Sequence, residues 1–216
     1  MKPLDSFLIL NEIKKLKPGT AFSWRDLSKT SVEASRIRME LARLRKEGKI
    51  ERKVRGVYFI PHRSWAGPVA ISDEAVVQQK LTVKRMEDKK LYGIGREGIN
   101  RAIPYGLTLF NAMGLTTQVA ARKEYVSSIG YKAPTVVVKR FQMELIQDYT
   151  TEEAMAFFAL ASLKQVRHED DRAVAVAYAQ YLRQNQITHT KLKTIASHVG
   201  GVLGRSAMVN LGTIEA

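Results

Sequence analysis

The chain has 216 residues, a formal net charge of +14 at pH 7, and a hydrophobic fraction of 45 % that is typical of a folded protein with a buried core. It has no cysteine, which excludes disulfides, thiolate metal sites and cysteine nucleophiles. Because no stretch approaches the roughly 18 apolar residues of a transmembrane helix and the start lacks a signal-peptide pattern, we expect a cytoplasmic protein with no membrane partner.

Three helices are predicted in the first 50 residues. Residues 6–16 repeat apolar side chains along one side of a helix, and Ser23 caps a short second helix over 24–29. Residues 32–49 place apolar side chains at helical spacing and reach Gly48, which is a natural helix end. The third helix is the longest of the three.

A basic and then apolar stretch follows the third helix. Residues 49–54 and 57–60 are strand-like and are joined around Arg55 and Gly56, so they are expected to pair as a hairpin with a basic tip. Three helices followed by a hairpin is the order of a winged helix-turn-helix. In this interpretation the cations belong to the wing, and the apolar return strand anchors it.

Beyond residue 61 the pattern indicates two further segments. Proline and glycine between 61 and 68 indicate a boundary, and helices over 72–86 and 104–113 precede strands over 124–129 and 134–141. Three alanine-rich helices then end before Gly200 and Gly201. The predicted class is α+β, with a winged helix-turn-helix over 1–66, a small mixed α/β domain over 67–149, and a helical section over 150–216.

The positive charge is concentrated at the front of the chain. Residues 1–66 hold 16 Lys+Arg against 7 Asp+Glu, a net charge of +9, whereas the net charge is +4 over residues 67–149 and +1 over 150–216. Clustered cations favour polyanions because binding releases the counterions condensed along phosphates. A nucleic acid is therefore the expected partner of the first segment.

Candidate contacts lie on the third helix and the hairpin. If the helix enters a major groove, Ser35, Arg36 and Met39 are expected to read base edges, while the later cations and the wing meet phosphates. The alternative interpretation is a solvated charged helix face. The predicted DNA-binding residues are Ser31, Ser35, Arg36, Met39, Arg43, Lys46, Arg52, Lys53 and Arg55.

Enzyme motifs are weak. The sequence GIGREG at 93–98 matches a dinucleotide fingerprint, but no apolar strand precedes it and Pro104 follows too soon for the required helix. The histidines show no metal-ligand spacing, and no nucleophile elbow or phosphate loop is present. We predict that the protein is not an enzyme and has no catalytic residue, cofactor or metal.

Two segments carry a family resemblance: LARLRKEGKIERKVRGVYFIP at 41–61 and PYGLTLFNAMGLTTQVAARKEYVSS at 104–128. They resemble the AbiEi-type antitoxin and regulator family, in which a winged helix-turn-helix precedes a domain with a segment similar to Gly114–Val119. The resemblance covers roughly residues 6–141. It implies a prokaryotic repressor that binds inverted repeats of double-stranded DNA in its own promoter and counteracts a nucleotidyltransferase-like toxin.

Two other functions stay open. The protein is alternatively an interaction module that holds a toxin or another partner, with DNA binding secondary. An RNA-binding front module is less favoured, because Tyr58 and Phe59 lie in the anchoring strand instead of on the basic face. The oligomeric state is also open, with a dimer on DNA as one option.

Overall fold

The computed structural model forms two compact units, Met1–Gly93 and Ile94–Ala216. The residues that the structure describes are 3–65, 67–92, 99–163 and 170–215. The GIGREG motif at 93–98 therefore lies outside the described residues.

This division differs from the three segments predicted from the sequence, and core packing explains why. The long helix after residue 72 contacts strands of the first segment, so it belongs to the first unit. Strands predicted for a separate middle domain share one apolar core with the carboxy-terminal helices. The breaks in composition near residues 66 and 149 are consequently connections within units.

The first unit is a mixture of helices and short antiparallel strands. Its elements, in chain order, are α1 (Pro3–Lys14), β1 (Ala21–Phe22), α2 (Ala34–Lys46), β2 (Glu51–Val54), β3 (Val57–Phe59), β4 (His62–Ser64), β5 (Gly67–Val69) and α3 (Asp73–Tyr92).

The predicted second helix over 24–29 does not form an α-helix. Turns lead instead into a 3-10 helix at Ser28–Thr30. The Asp26 carboxylate accepts hydrogen bonds from the Ser23 backbone nitrogen at 2.6 Å and from its hydroxyl at 2.9 Å. Such local bonds satisfy the backbone in turn geometry and compete with a regular helix.

Helices α1 and α2 and one sheet share the core of the first unit. The sheet has the order β1-β3-β2, with antiparallel pairing throughout. The two helices supply apolar side chains at helical spacing. Phe22 of β1 and Ile50, the residue before β2, belong to the same core. The buried members of this core are Ile9, Ile13, Phe22, Leu27, Ile37, Leu41, Leu44 and Ile50.

The predicted hairpin is confirmed as β2 and β3. Arg52 lies opposite Tyr58, and Val54 lies opposite Val57 across the Arg55–Gly56 turn. Gly56 has a φ of +81°, which a glycine adopts without the steric cost of a side chain. The return strand is anchored as predicted, because Val57 is buried and its neighbour Tyr58 packs against the core.

A second hairpin follows directly and was not predicted. Strand β4 pairs with β5 in antiparallel register. Trp65 lies in the connection between them and is fully exposed. The proline and glycine that indicated a domain boundary here belong to a tight hairpin instead.

The second unit combines a four-stranded sheet with five α-helices and a 3-10 helix at Met143–Ile146 in its described part. Its elements are β6 (Ala102–Pro104), α4 (Gly106–Ala112), β7 (Lys123–Ser127), β8 (Tyr131–Lys132), β9 (Val136–Arg140), α5 (Thr151–Ala161), α6 (Asp171–Gln184), α7 (His189–Val199) and α8 (Gly201–Glu215).

The sheet of the second unit has the order β6-β7-β9-β8, in which the two predicted strands, β7 and β9, pair in parallel. A single core joins Ile103 and Val126 of the sheet to Phe157 of α5 and Leu211 of α8. Three helices were expected after residue 150, whereas the described part of the chain has four; α8 was not predicted. Gly200 turns the chain with a φ of +58°, and the next helix begins at once.

The helices of the described residues include none with both the length and the apolar character needed to cross a membrane.

Candidate nucleic-acid interface

Helix α2 is fixed by its apolar face and by its carboxy-terminal cap. Ile37, Leu41 and Leu44 are completely buried. At the end of the helix, the Gly48 nitrogen donates to the Arg45 carbonyl and the Lys49 nitrogen to the Leu44 carbonyl, which is the Schellman pattern. The helix axis and its rotation relative to the core are thereby set, and so is the face that meets solvent.

The most outward face of α2 consists of Ser35, Met39, Ala42 and Lys46, all of them exposed. These residues recur three or four positions apart, so their side chains lie along one stripe of the helix. The stripe lies on the side opposite the buried leucines. Three of the predicted contact residues, Ser35, Met39 and Lys46, are therefore directed to solvent.

One flank of this stripe is an ion-paired row. The Arg36 guanidinium donates to the Asp5 carboxylate of α1 at 2.7 Å, and Arg36 is half-buried. Arg43 donates from Nε to Glu40 at 2.9 Å and also pairs with Glu47. Glu40 is completely buried. Both predicted arginines are thus occupied by carboxylates of their own unit.

The electrostatics of this row follow from its contacts. The hydrogen bond with Glu40 is the main cause that raises the pKa of Arg43, which stays charged at any accessible pH. The hydrogen bond with Lys49 is the main cause that lowers the pKa of Glu47, with Arg43 contributing further. The charges of the row largely compensate one another, so it offers little net attraction for a polyanion.

The other flank carries Arg38 and Arg45, and both are exposed. The Arg38 guanidinium carbon lies 4.6 Å from the centroid of the Trp24 ring, and that of Arg25 lies 4.7 Å from the same centroid. Arg25 also pairs with Glu87 of α3. Within the described part of the chain, neither Arg38 nor Arg45 has a carboxylate partner.

Arg38 and Arg45 are not among the contact residues predicted from the sequence, although the sequence contains a signal for them. Glu40 and Glu47 lie three and four residues from Arg43 and pair with it, whereas no acid occurs at those distances from Arg38 or Arg45. The spacing of the acids therefore distinguishes the compensated Arg43 from Arg38 and Arg45, although it does not contain the pairing of Arg36 with Asp5.

The β2–β3 hairpin also carries cations, and the alternation of the strand directs their side chains to different faces of the sheet. Arg52 lies opposite Tyr58 and shares its face of the sheet, which is the face toward the core formed with α2. Lys53 lies 3.5 Å from the Asp73 carboxylate at the start of α3. Arg55 is exposed in the turn. Among the described residues, Arg52 and Arg55 have no carboxylate partner.

Ser31 lies three residues before the start of α2 and is exposed. It has a φ of +59°, in the left-handed region that residues other than glycine rarely adopt. This conformation ends the 3-10 helix and redirects the chain into α2. The role of Ser31 that follows from the structure is thus to set the entry angle of the helix.

Other kinds of site find little support in the described residues. They include no cluster of three or more His, Asp or Glu side chains that could hold a metal ion. In the second unit, an open depression of about 450 Å³ is lined by residues that include Leu107, Arg122 and Glu124. It holds no arrangement of groups typical of a catalytic centre.

The chain matches none of the protein-family models compared with it, and no curated protein shows significant similarity to it.

Proposed function

We propose that the first unit is a winged helix-turn-helix module that binds duplex DNA, and that the protein is a transcriptional regulator. In this proposal α2 is the recognition helix, and the β2–β3 hairpin is the wing. One observation carries the proposal. Exposed cations that lack carboxylate partners in the described chain occur on two elements held by one core; they are Arg38, Arg45, Lys46, Arg52 and Arg55.

The physical reason is that this arrangement is complementary to duplex DNA. A major groove admits one helix, and the helix flank and the hairpin then lie against the phosphates on either side. Arg38, Arg45 and Arg52 position the module through phosphates, while Ser35 and Met39 face the base edges. Arg36 and Arg43 stabilise the helix through their ion pairs and contribute less to binding.

The regulator is further proposed to be an antitoxin-like autorepressor, and this part rests on the resemblance of residues 41–61 and 104–128 to the AbiEi-type family. The implied operator is an inverted repeat, bound by a dimer, and the implied partner is a nucleotidyltransferase-like toxin. Co-purification with the product of the neighbouring gene tests the partner. Retention of that partner without any DNA binding would favour the interaction module instead.

Salt-dependent binding to duplex DNA tests the central claim. The slope of log K against log salt is negative. Removing two phosphate contacts with Arg38→Gln/Arg45→Gln is expected to reduce its magnitude by about two. The matched control Arg172→Gln/Arg205→Gln makes the same change of charge on exposed residues of the second unit and is expected to leave the slope unchanged.

Two comparisons make the test specific. Arg36→Gln on the same helix is expected to alter the slope less than Arg45→Gln, because Asp5 already compensates Arg36. Equal losses for both would contradict the assignment of the contact to the Arg38 and Arg45 flank. Stronger binding to single-stranded RNA than to duplex DNA in the same assay would overturn the DNA proposal.

A further inference from the structure

The centre of the outward stripe of α2 is apolar, although cations surround it. Met39 has an exposed fraction of 59 %. Its neighbours along the stripe, Ser35 and Ala42, are small and exposed, while Arg38 and Lys46 lie at the flank and the far end. One long apolar side chain therefore projects between two short ones on the face that the cations would hold against DNA.

The chemistry of this face limits what it can recognise. A methionine thioether is at most a weak hydrogen-bond acceptor, so Met39 cannot read the donors and acceptors of guanine, cytosine or adenine as arginine or glutamine would. The one apolar group on a base edge in the major groove is the 5-methyl group of thymine. The flexible, polarisable methionine suits contact with such a small apolar group.

On the premise of the DNA-binding function proposed above, we infer that Met39 determines specificity by contacting the 5-methyl group of a thymine beneath the centre of α2. The small side chains of Ser35 and Ala42 let the helix approach the base edges closely enough for that contact. The cations around the stripe make it complementary to duplex DNA in charge. Each bound site is consequently expected to contain a thymine at one fixed position.

The inference has a direct test that uses the full chain and randomised duplex DNA. Duplexes enriched on the protein are resynthesised with deoxyuridine at each thymine in turn, which removes only the methyl group. At one position this change is expected to weaken binding about fourfold, the effect of one apolar methyl contact. With the Met39→Ala variant the same change is expected to have no effect.

The control and the outcomes separate the inference from its premise. Met208→Ala removes an exposed methionine from the second unit and is expected to keep the full response to deoxyuridine. Specific DNA binding with equal responses in wild type and Met39→Ala would overturn the thymine contact and leave the DNA-binding function standing. Enrichment of no duplex at all would overturn both.

Discussion

Arg38 lies over the indole ring of Trp24, with its guanidinium carbon 4.6 Å from the ring centroid. Arg25 lies 4.7 Å from the same centroid. Trp24 itself packs against the core of the first unit. A cation held over an aromatic face keeps its charge while its long side chain loses freedom. Trp24 is therefore a positioning residue for Arg38.

Replacing this ring is expected to weaken DNA binding without removing a charge. Trp24→Leu keeps an apolar group against the core but removes the aromatic face, and we expect a loss of affinity of about 0.5 to 1 kcal/mol, as for an exposed cation–π contact. Anisotropy titrations with duplex DNA measure it. In an Arg38→Gln background the same substitution should not lower the DNA affinity further. An undiminished loss of affinity there would contradict the positioning role.

The two cations of strand β2 are expected to behave differently. Arg52→Gln should reduce the magnitude of the salt slope by about one, because Arg52 shares the sheet face of Tyr58, which packs against the core to which α2 contributes, and has no carboxylate partner among the described residues. Lys53→Gln should lower it less, because Asp73 lies 3.5 Å from the Lys53 ammonium. Titrations at several salt concentrations compare the two variants, and a larger effect for Lys53 would argue against this orientation of the hairpin.

The sequence predicts much of the fold because its local signals are consistent. Helix α2 follows from the apolar spacing and from Gly48, and the hairpin follows from the strand-like runs around Gly56. Strand β1 has only two residues, which is too short for any periodicity to indicate. Helix α8 was missed because two glycines usually end a helix, and only tertiary packing shows that a new one begins there.

The candidate site was predicted only in part, because the helix face on which a charged residue lies does not show which residue it forms an ion pair with. Arg36 and Arg43 were expected on the open side of α2, and they lie on the flank where Asp5 and Glu40 compensate them. The pairing with Asp5 joins residues on two helices far apart in the chain, so no local pattern contains it. The stacking of Arg38 on Trp24 is likewise a tertiary contact.

Gly204 of α8 permits a close approach between two helices. A Cβ atom at this position would lie 2.3 Å from the Ala196 carbonyl oxygen of α7, a distance that no real contact allows. Gly204→Ala is expected to lower the free energy of unfolding of the second unit by about 1 to 3 kcal/mol, because backbone must shift. Urea unfolding followed by circular dichroism measures the change.

Gly212 provides the matched control for that experiment. It lies in the same helix, and a Cβ atom there meets nothing within 4 Å. Gly212→Ala is expected to stabilise the unit by up to about 1 kcal/mol, the difference in helix propensity between the two residues. If both substitutions shift the unfolding midpoint in the same direction, the close approach of α7 and α8 is not the reason that position 204 requires glycine.

Tyr178 makes the second unit sensitive to alkali. Its hydroxyl donates to the Ala156 carbonyl at 3.0 Å inside the core, and burial raises its pKa well above the usual range. In the unfolded chain the phenol ionises near its ordinary pKa of about 10. The folded state keeps the proton that the unfolded state loses, so the contribution of Tyr178 to stability is complete below about pH 10 and falls above it by about 1.4 kcal/mol per pH unit.

Removing the phenol should remove this part of the pH dependence. Tyr178→Phe is expected to cost about 0.5 to 1.5 kcal/mol at neutral pH, through the lost hydrogen bond, and to flatten the decline above about pH 10. Tyr181→Phe should flatten it only between about pH 10 and 12, because Tyr181 is half-buried and its pKa is raised only to about 12, mainly by burial and further by Glu152. Both tryptophans lie in the first unit, so circular dichroism with tryptophan fluorescence as reference distinguishes unfolding of the second unit. A decline of equal steepness in wild type and Tyr178→Phe would show that the buried phenol is not its cause.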